Sequence, residues 1–126
     1  MGNPFDHFAA VHCINLASAP ERWRRMRRRF AALHIQQRVS RFDAVETPWS
    51  HHVGCALSHR SIIDQADRRG LDNVLVFEDD AIFLDDTSDV LDRSIAELGR
   101  QDWISSTWAA TVGAAMSSRR PGARTS

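Results

Sequence analysis

Apolar and polar positions change their period several times along this chain. Val11-His12-Cys13-Ile14-Asn15-Leu16 is a short, mostly apolar run and reads as a buried strand. Ser18, followed three residues later by Glu21 with Pro20 between them, has the form of a helix-opening capping box with a tolerated early proline. Trp23, Met26, Phe30 and Leu33 then recur at helical spacing, with arginines on the remaining faces. The opening unit is therefore strand, short loop and amphipathic helix.

Residues Arg38 to Phe42 suit a second short strand, and Asp43 to Val53, which contains Pro48, suits a loop. A helix is expected from about Gly54 to Arg69, with Cys55, His59, Ile62, Ile63 and Ala66 inward and Gly70 as a left-handed cap. Val74-Leu75-Val76-Phe77 is continuously apolar, as a strand covered on both faces requires. It runs straight into Glu78-Asp79-Asp80. A last helix is expected from Ser88 to Leu98, closed by Gly99. The alternation of strand and helix predicts an α/β layer fold, in which ligands bind beyond the carboxyl ends of the strands.

Composition narrows this picture. A chain of 126 residues suits one domain, and 43% hydrophobic with 25% charged residues is ordinary for a globular protein. The two cysteines form no CxxC pair, which excludes a disulfide scaffold and favours a reducing cytoplasm. The N-terminus has no signal-peptide pattern, and no apolar run approaches a bilayer span. Net charge is zero, but six arginines lie between Arg22 and Arg29 and seven acids between Glu78 and Asp92. Charge runs of this kind are ordinarily solvated helix faces, and a short basic run in a neutral chain argues against nucleic-acid binding.

The acidic string carries the strongest chemistry. Three carboxylates packed after a buried strand repel one another, and a hard divalent cation, Mn²⁺ or Mg²⁺, is the natural compensation. Glu78, Asp79 and Asp80 are thus candidate metal ligands; the bland alternative is a solvated acidic turn. The lack of lysine rules out a P-loop and argues against a phosphate-receiver domain, which needs one. His51, His52, Cys55 and His59 invite a zinc site, but a helix beginning near Gly54 would leave the first two in the loop. A Cys55–His59 nucleophile and base is weaker than a plain packing role.

Five strings in order resemble the signatures of glycosyltransferase family 25. They are C-I-N-L (Cys13 to Leu16), P-E-R-W (Pro20 to Trp23), R-F-D-A-V (Arg41 to Val45), G-C-A-L-S-H (Gly54 to His59) and V-L-V-F-E-D-D-A (Val74 to Ala81). The resemblance implies a partial GT-A-like, Rossmann-type sandwich, incomplete at the C-terminus, that binds a nucleotide sugar. It implies transfer of a sugar, of galactose type, from a UDP-sugar to a lipooligosaccharide or lipopolysaccharide acceptor. Asn15 and Arg22 would lie near the nucleotide, Asp43 and Ala44 at the base or ribose, and Ser58 and His59 at the donor. Glu78, Asp79 and Asp80 would hold Mn²⁺ or Mg²⁺. No catalytic base is assigned. The expected location is cytoplasmic, at the inner face of the membrane. The alternative is a non-catalytic nucleotide-sugar-binding or partner-binding remnant.

The resemblance covers roughly Val11 to Leu98 and stops after Trp103. The expected domain is 1–103, and 104–126 reads as a disordered or frameshifted tail. Restoring one base lost from a run of G at Trp103 allows the codons to read D-L-F-Y-L-G-G-H-R, the continuation expected of the family. A chain cut there would leave the edge at Val74 to Phe77 open to aggregation.

Overall fold

The computed structural model describes residues 3–98, 105–108 and 114–118. A short 3-10 turn, Pro4–His7, leads into β1 (Ala10–Asn15), α1 (Pro20–Ala32), β2 (Val39–Asp43), α2 (His51–Arg68), β3 (Asn73–Glu78) and α3 (Thr87–Leu98). Two further strands follow, β4 (Ser105–Trp108) and β5 (Ala114–Ser118). The sheet order is β2-β1-β3-β5-β4. β1 runs parallel to both neighbours, with Val11 opposite Val39 on one side and Leu75 on the other. β5 is antiparallel to β3 and to β4. The protein is thus α/β with a three-stranded parallel, Rossmann-like core, extended by an antiparallel pair.

Helices cover both faces of the parallel core. Phe5, Val11, Cys13, Met26, Phe30, Leu75, Phe77 and Leu91 form the larger cluster, under α1 and α3. Ile14, Ile62, Ala66, Val74 and Val76 form a smaller one under α2. Alternation along β1 and β3 sends odd positions to the first and even positions to the second. Because α1 and α2 lie on opposite faces, the chain reverses its winding between β1 and β3. A crevice therefore opens at the carboxyl ends of these two strands.

Most expected elements are present, with revised ends. Met26 and Phe30 are buried on α1, with Trp23 and Leu33 packed beside them. The expected capping box is not formed. Pro20 occupies the first turn, Ala19 stands at the cap with no side-chain bond, and Glu21 pairs with Arg24 instead. α2 begins at His51 rather than Gly54. Ser50 is extended there, and its hydroxyl accepts from the Val53 amide, which nucleates the helix one turn earlier. On α2 the buried residues are Gly54, Ser58, Ile62 and Ala66, so the inward face is rotated from the expected one. Gly70 is left-handed with φ 71°, as its role as a cap requires. α3 begins at Thr87, and the expected closure at Gly99 lies outside the described residues.

Beyond Trp103 the described residues form two short segments. The segments 105–108 and 114–118 are strands, and Ala114 to Ser118 pair with Asn73 to Phe77. The edge of β3 that the sequence leaves open is thereby covered.

Candidate functional site

Local sequence positions the site. The β1 run ends at Asn15, which is only 2% exposed and cannot remain unpaired there. Its amide nitrogen donates to Asp79 Oδ2 at 2.8 Å and to the Ala19 carbonyl at 3.1 Å. Its amide oxygen accepts from Arg41 Nε at 2.9 Å, and its backbone carbonyl accepts from Arg41 Nη2 at 2.9 Å. One buried side chain thus joins the ends of β1, β2 and β3. Arg22, in the first turn of α1, completes the hold on Asp79 at 3.2 Å.

The wall formed by α2 is built by close approach. A Cβ on Gly54 would lie 2.6 Å from the Val45 carbonyl oxygen, so no side chain fits between the helix and the loop after β2. Ser58, fully buried, donates its hydroxyl to the Gly54 carbonyl and accepts from the Val45 amide, both at 2.8 Å. The loop is thereby pinned against α2.

These constraints enclose a cleft of about 550 Å³, within the range of small-ligand sites. Its rim comes from the ends of β1 and β3, from Arg22, from the loop Ala44 to Pro48, and from Ser50, His51 and Cys55 on α2. Glu78, Asp79 and Asp80 line one side.

The expected site residues divide into those in the cleft and those behind it. Arg22, Ala44, Ser58, Glu78, Asp79 and Asp80 line it. Asn15 sits behind Asp79 and fixes it. Ser58 has committed its hydroxyl, so its action is on the shape of the wall. Asp43 is exposed, paired with Arg41 at 3.1 Å, and contributes nothing to the lining. His59 lies beyond the lining and faces Glu78, with Nε2 3.8 Å from Oε1. That spacing is an ion-pair separation, too long for a strong hydrogen bond. The His59 side chain nonetheless holds the Glu78 carboxyl below its ordinary range; burial opposes this, and the charges of His59 and His51 reinforce it.

The three carboxylates do not converge. Asp79 turns to Asn15 and Arg22, Glu78 faces His59, and Asp80 is exposed at the cleft. Among the described residues no group of three or more His, Cys, Asp and Glu side chains is gathered around a point where an ion would sit. A closed metal cage is therefore not built. The donor set instead fits a cation held by one or two carboxylates with the rest of its shell from a ligand's phosphates. The histidines and Cys55 lie along the same helix, with His51 Nε2 3.6 Å from Cys55 Sγ, but they supply no such group either.

Neither thiol is poised as a nucleophile. Burial pushes Cys13 up to about 12, assisted by Asp79. Cys55 is also raised, first by burial and then by Glu78 and its neighbours.

Sequence reasoning missed the loop Val45 to Pro48 as a cleft wall and Arg41 as the clamp on Asn15. The string R-F-D-A-V held the signal for Arg41, but its partner lies on another strand.

The fold defines an α/β protein with a cleft at the strand-order reversal. The sequence profile of "Glycosyltransferase family 25 (LPS biosynthesis protein)" matches residues 50–113. The mouse (Mus musculus) protein "Inactive glycosyltransferase 25 family member 3" is 32% identical over 118 residues, covering 72% of this chain and 20% of the mouse protein. The chain belongs to glycosyltransferase family 25. It spans about a fifth of the length of that curated relative. The matched segment contains α2, β3 and α3 and continues past Trp103.

Proposed function

We propose that the cleft is the donor site of a glycosyltransferase and takes a nucleotide sugar, a UDP-sugar of galactose type, for transfer to a lipooligosaccharide or lipopolysaccharide acceptor. The observation that carries this reading is the convergence of Arg22 and the acidic strand end on one crevice at the β1/β3 reversal. Arg22 offers a guanidinium to a diphosphate, and Ala44 with the following loop offers a narrow slot to the nucleoside. Asn15 and Arg41 keep Asp79 fixed, so the carboxylates need not reorganise when the ligand arrives. Mn²⁺ or Mg²⁺ would be held by Asp80 with Glu78 or Asp79, and when bound it stabilises negative charge on the departing nucleotide. Its place of action would be the cytoplasmic face of the membrane. No helix among the described residues is long and apolar enough to cross a membrane.

That the mouse relative is named an inactive family member favours a second reading for this chain, in which the cleft binds a nucleotide sugar without transfer. Titration calorimetry of UDP into the chain, with and without Mn²⁺, tests the first reading. Binding that requires Mn²⁺ and is lost in Asp80→Asn supports it. Absence of UDP binding under either condition refutes both readings. Mn²⁺-dependent binding with no hydrolysis or transfer of a UDP-sugar selects the second.

A further inference from the structure

We infer that the exposed face of α1 is a docking surface for an anionic lipid membrane. α1 buries Met26 and Phe30 and turns Arg24, Arg25, Arg27 and Arg28 to solvent. Arg24 pairs with Glu21. Among the described residues, Arg25, Arg27 and Arg28 make no hydrogen bond or ion pair. Asp89 and Asp92 are exposed on α3, on the same side of the sheet, yet neither pairs with them.

Folding gives no reason for this face. Like charges three and four residues apart, as in Arg24–Arg27, Arg24–Arg28 and Arg25–Arg28, oppose the helix. Cations in its first turns also oppose the helix dipole. The other two arginines of the run are structural: Arg22 holds Asp79, and Arg29 donates to the Ala81 carbonyl at 2.6 Å. The free guanidiniums are forks suited to phosphate.

The occupant that fits is a flat array of headgroup phosphates. The helix of 13 residues spreads these guanidiniums over its solvent side, with no exposed aromatic side chain on α1 for bases to stack on. Unpaired arginines on the outer side of an amphipathic helix match the charge pattern of a basic membrane-surface helix, which a merely solvated face does not require. The choice of a membrane over a nucleic acid also rests on the lipid-linked acceptor proposed above. Arg22, one turn from Arg25, lines the cleft, so a surface gripped by this face would lie beside the cleft opening.

Co-sedimentation of the full chain with vesicles tests this, using phosphatidylcholine containing phosphatidylglycerol against phosphatidylcholine alone. Binding is expected only to the anionic vesicles and should weaken steeply with salt. The triple variant R25Q/R27Q/R28Q should bind them roughly a hundredfold more weakly. Its circular dichroism and its UDP titration should be unchanged, so loss of docking is distinguishable from loss of the donor site. Equal binding to neutral vesicles, no binding to either, or an unaffected triple variant overturns the proposal. So does tighter binding to a DNA duplex at matched phosphate concentration.

Discussion

The two sides of the sheet are built differently. Under α1 and α3 the core is aromatic: Phe77 meets Phe5, Phe30 and Phe83 at ring-centroid distances of 6.2, 5.3 and 5.4 Å. Under α2 it is aliphatic and thin, five residues with Ala10, Phe42, Ala44 and Leu71 at its margin. There, a backbone contact at Gly54 and the hydroxyl of Ser58 do the joining. The side that carries most apolar burial supplies only Arg22 to the cleft, whereas the lightly packed side supplies the wall Ala44 to Cys55. Most of the apolar burial and the longer stretch of cleft wall are thus drawn from opposite faces of one sheet, in keeping with the tendency of cleft-forming elements to sit in the less stable parts of a fold.

The largest expected effect tests that division directly. Phe77→Ala removes the shared member of three ring contacts and should cost about 3–5 kcal/mol in urea unfolding. Ile62→Ala, the matching truncation on the other face, should cost less, about 2 kcal/mol, the low end of its range. Equal losses would show that the two clusters are one energetic core.

Gly54→Ala comes next. The added methyl meets the Val45 carbonyl, a backbone atom that cannot rotate away, so about 1–3 kcal/mol of strain is expected. The signature of the comparison is local: amide exchange should rise at Val45 and through the loop to Ser50 while the amides of β1 and β3 stay protected. Loosening spread evenly over both faces would contradict it.

The smallest effect is a pH dependence. His12, on the α2 side of β1, meets Phe42 edge-on at 6.3 Å. Burial and then the charge of Arg69 hold its pKa below the ordinary 6.5. Protonation is therefore easier in the unfolded chain. Stability is complete above 6.5 and falls as pH drops through that value toward the depressed folded one. His12→Gln should flatten this part of the stability profile, and an unchanged slope would assign the pH dependence elsewhere.

How far these features were legible depends on the range of the interaction that makes them. Val74 to Phe77 needed no partner to be recognised, because a strand covered on both faces must be apolar throughout. The α1 stripe and the Gly70 cap were equally local. The start of α2 was missed because Ser50 competes with Pro48 and Gly54 as a boundary signal, and only its extended backbone and bond to Val53 decide. The capping box at Ser18 failed for the converse reason. The local pattern was present, but Asn15 bonds the Ala19 carbonyl, and the helix starts at Pro20. β4 and β5 went unseen because pairing along an edge uses backbone amides and carbonyls, which no side-chain alternation announces.

The sequence by itself determined the element types, the α/β class, the acidic strand end and the family strings, since each follows from periodicity or from neighbours in the chain. Only the tertiary structure decided which of those residues meet. Asn15 and Asp79 are 64 positions apart, and Arg41 reaches Asn15 from the neighbouring strand. The same assembly divided the acidic string, sending Asp79 to Asn15 and Arg22, Glu78 to His59, and leaving Asp80 open to the cleft. A carboxylate's partner is set by whatever chain the fold brings within hydrogen-bond reach, and that distance is not written in the spacing of residues along the sequence.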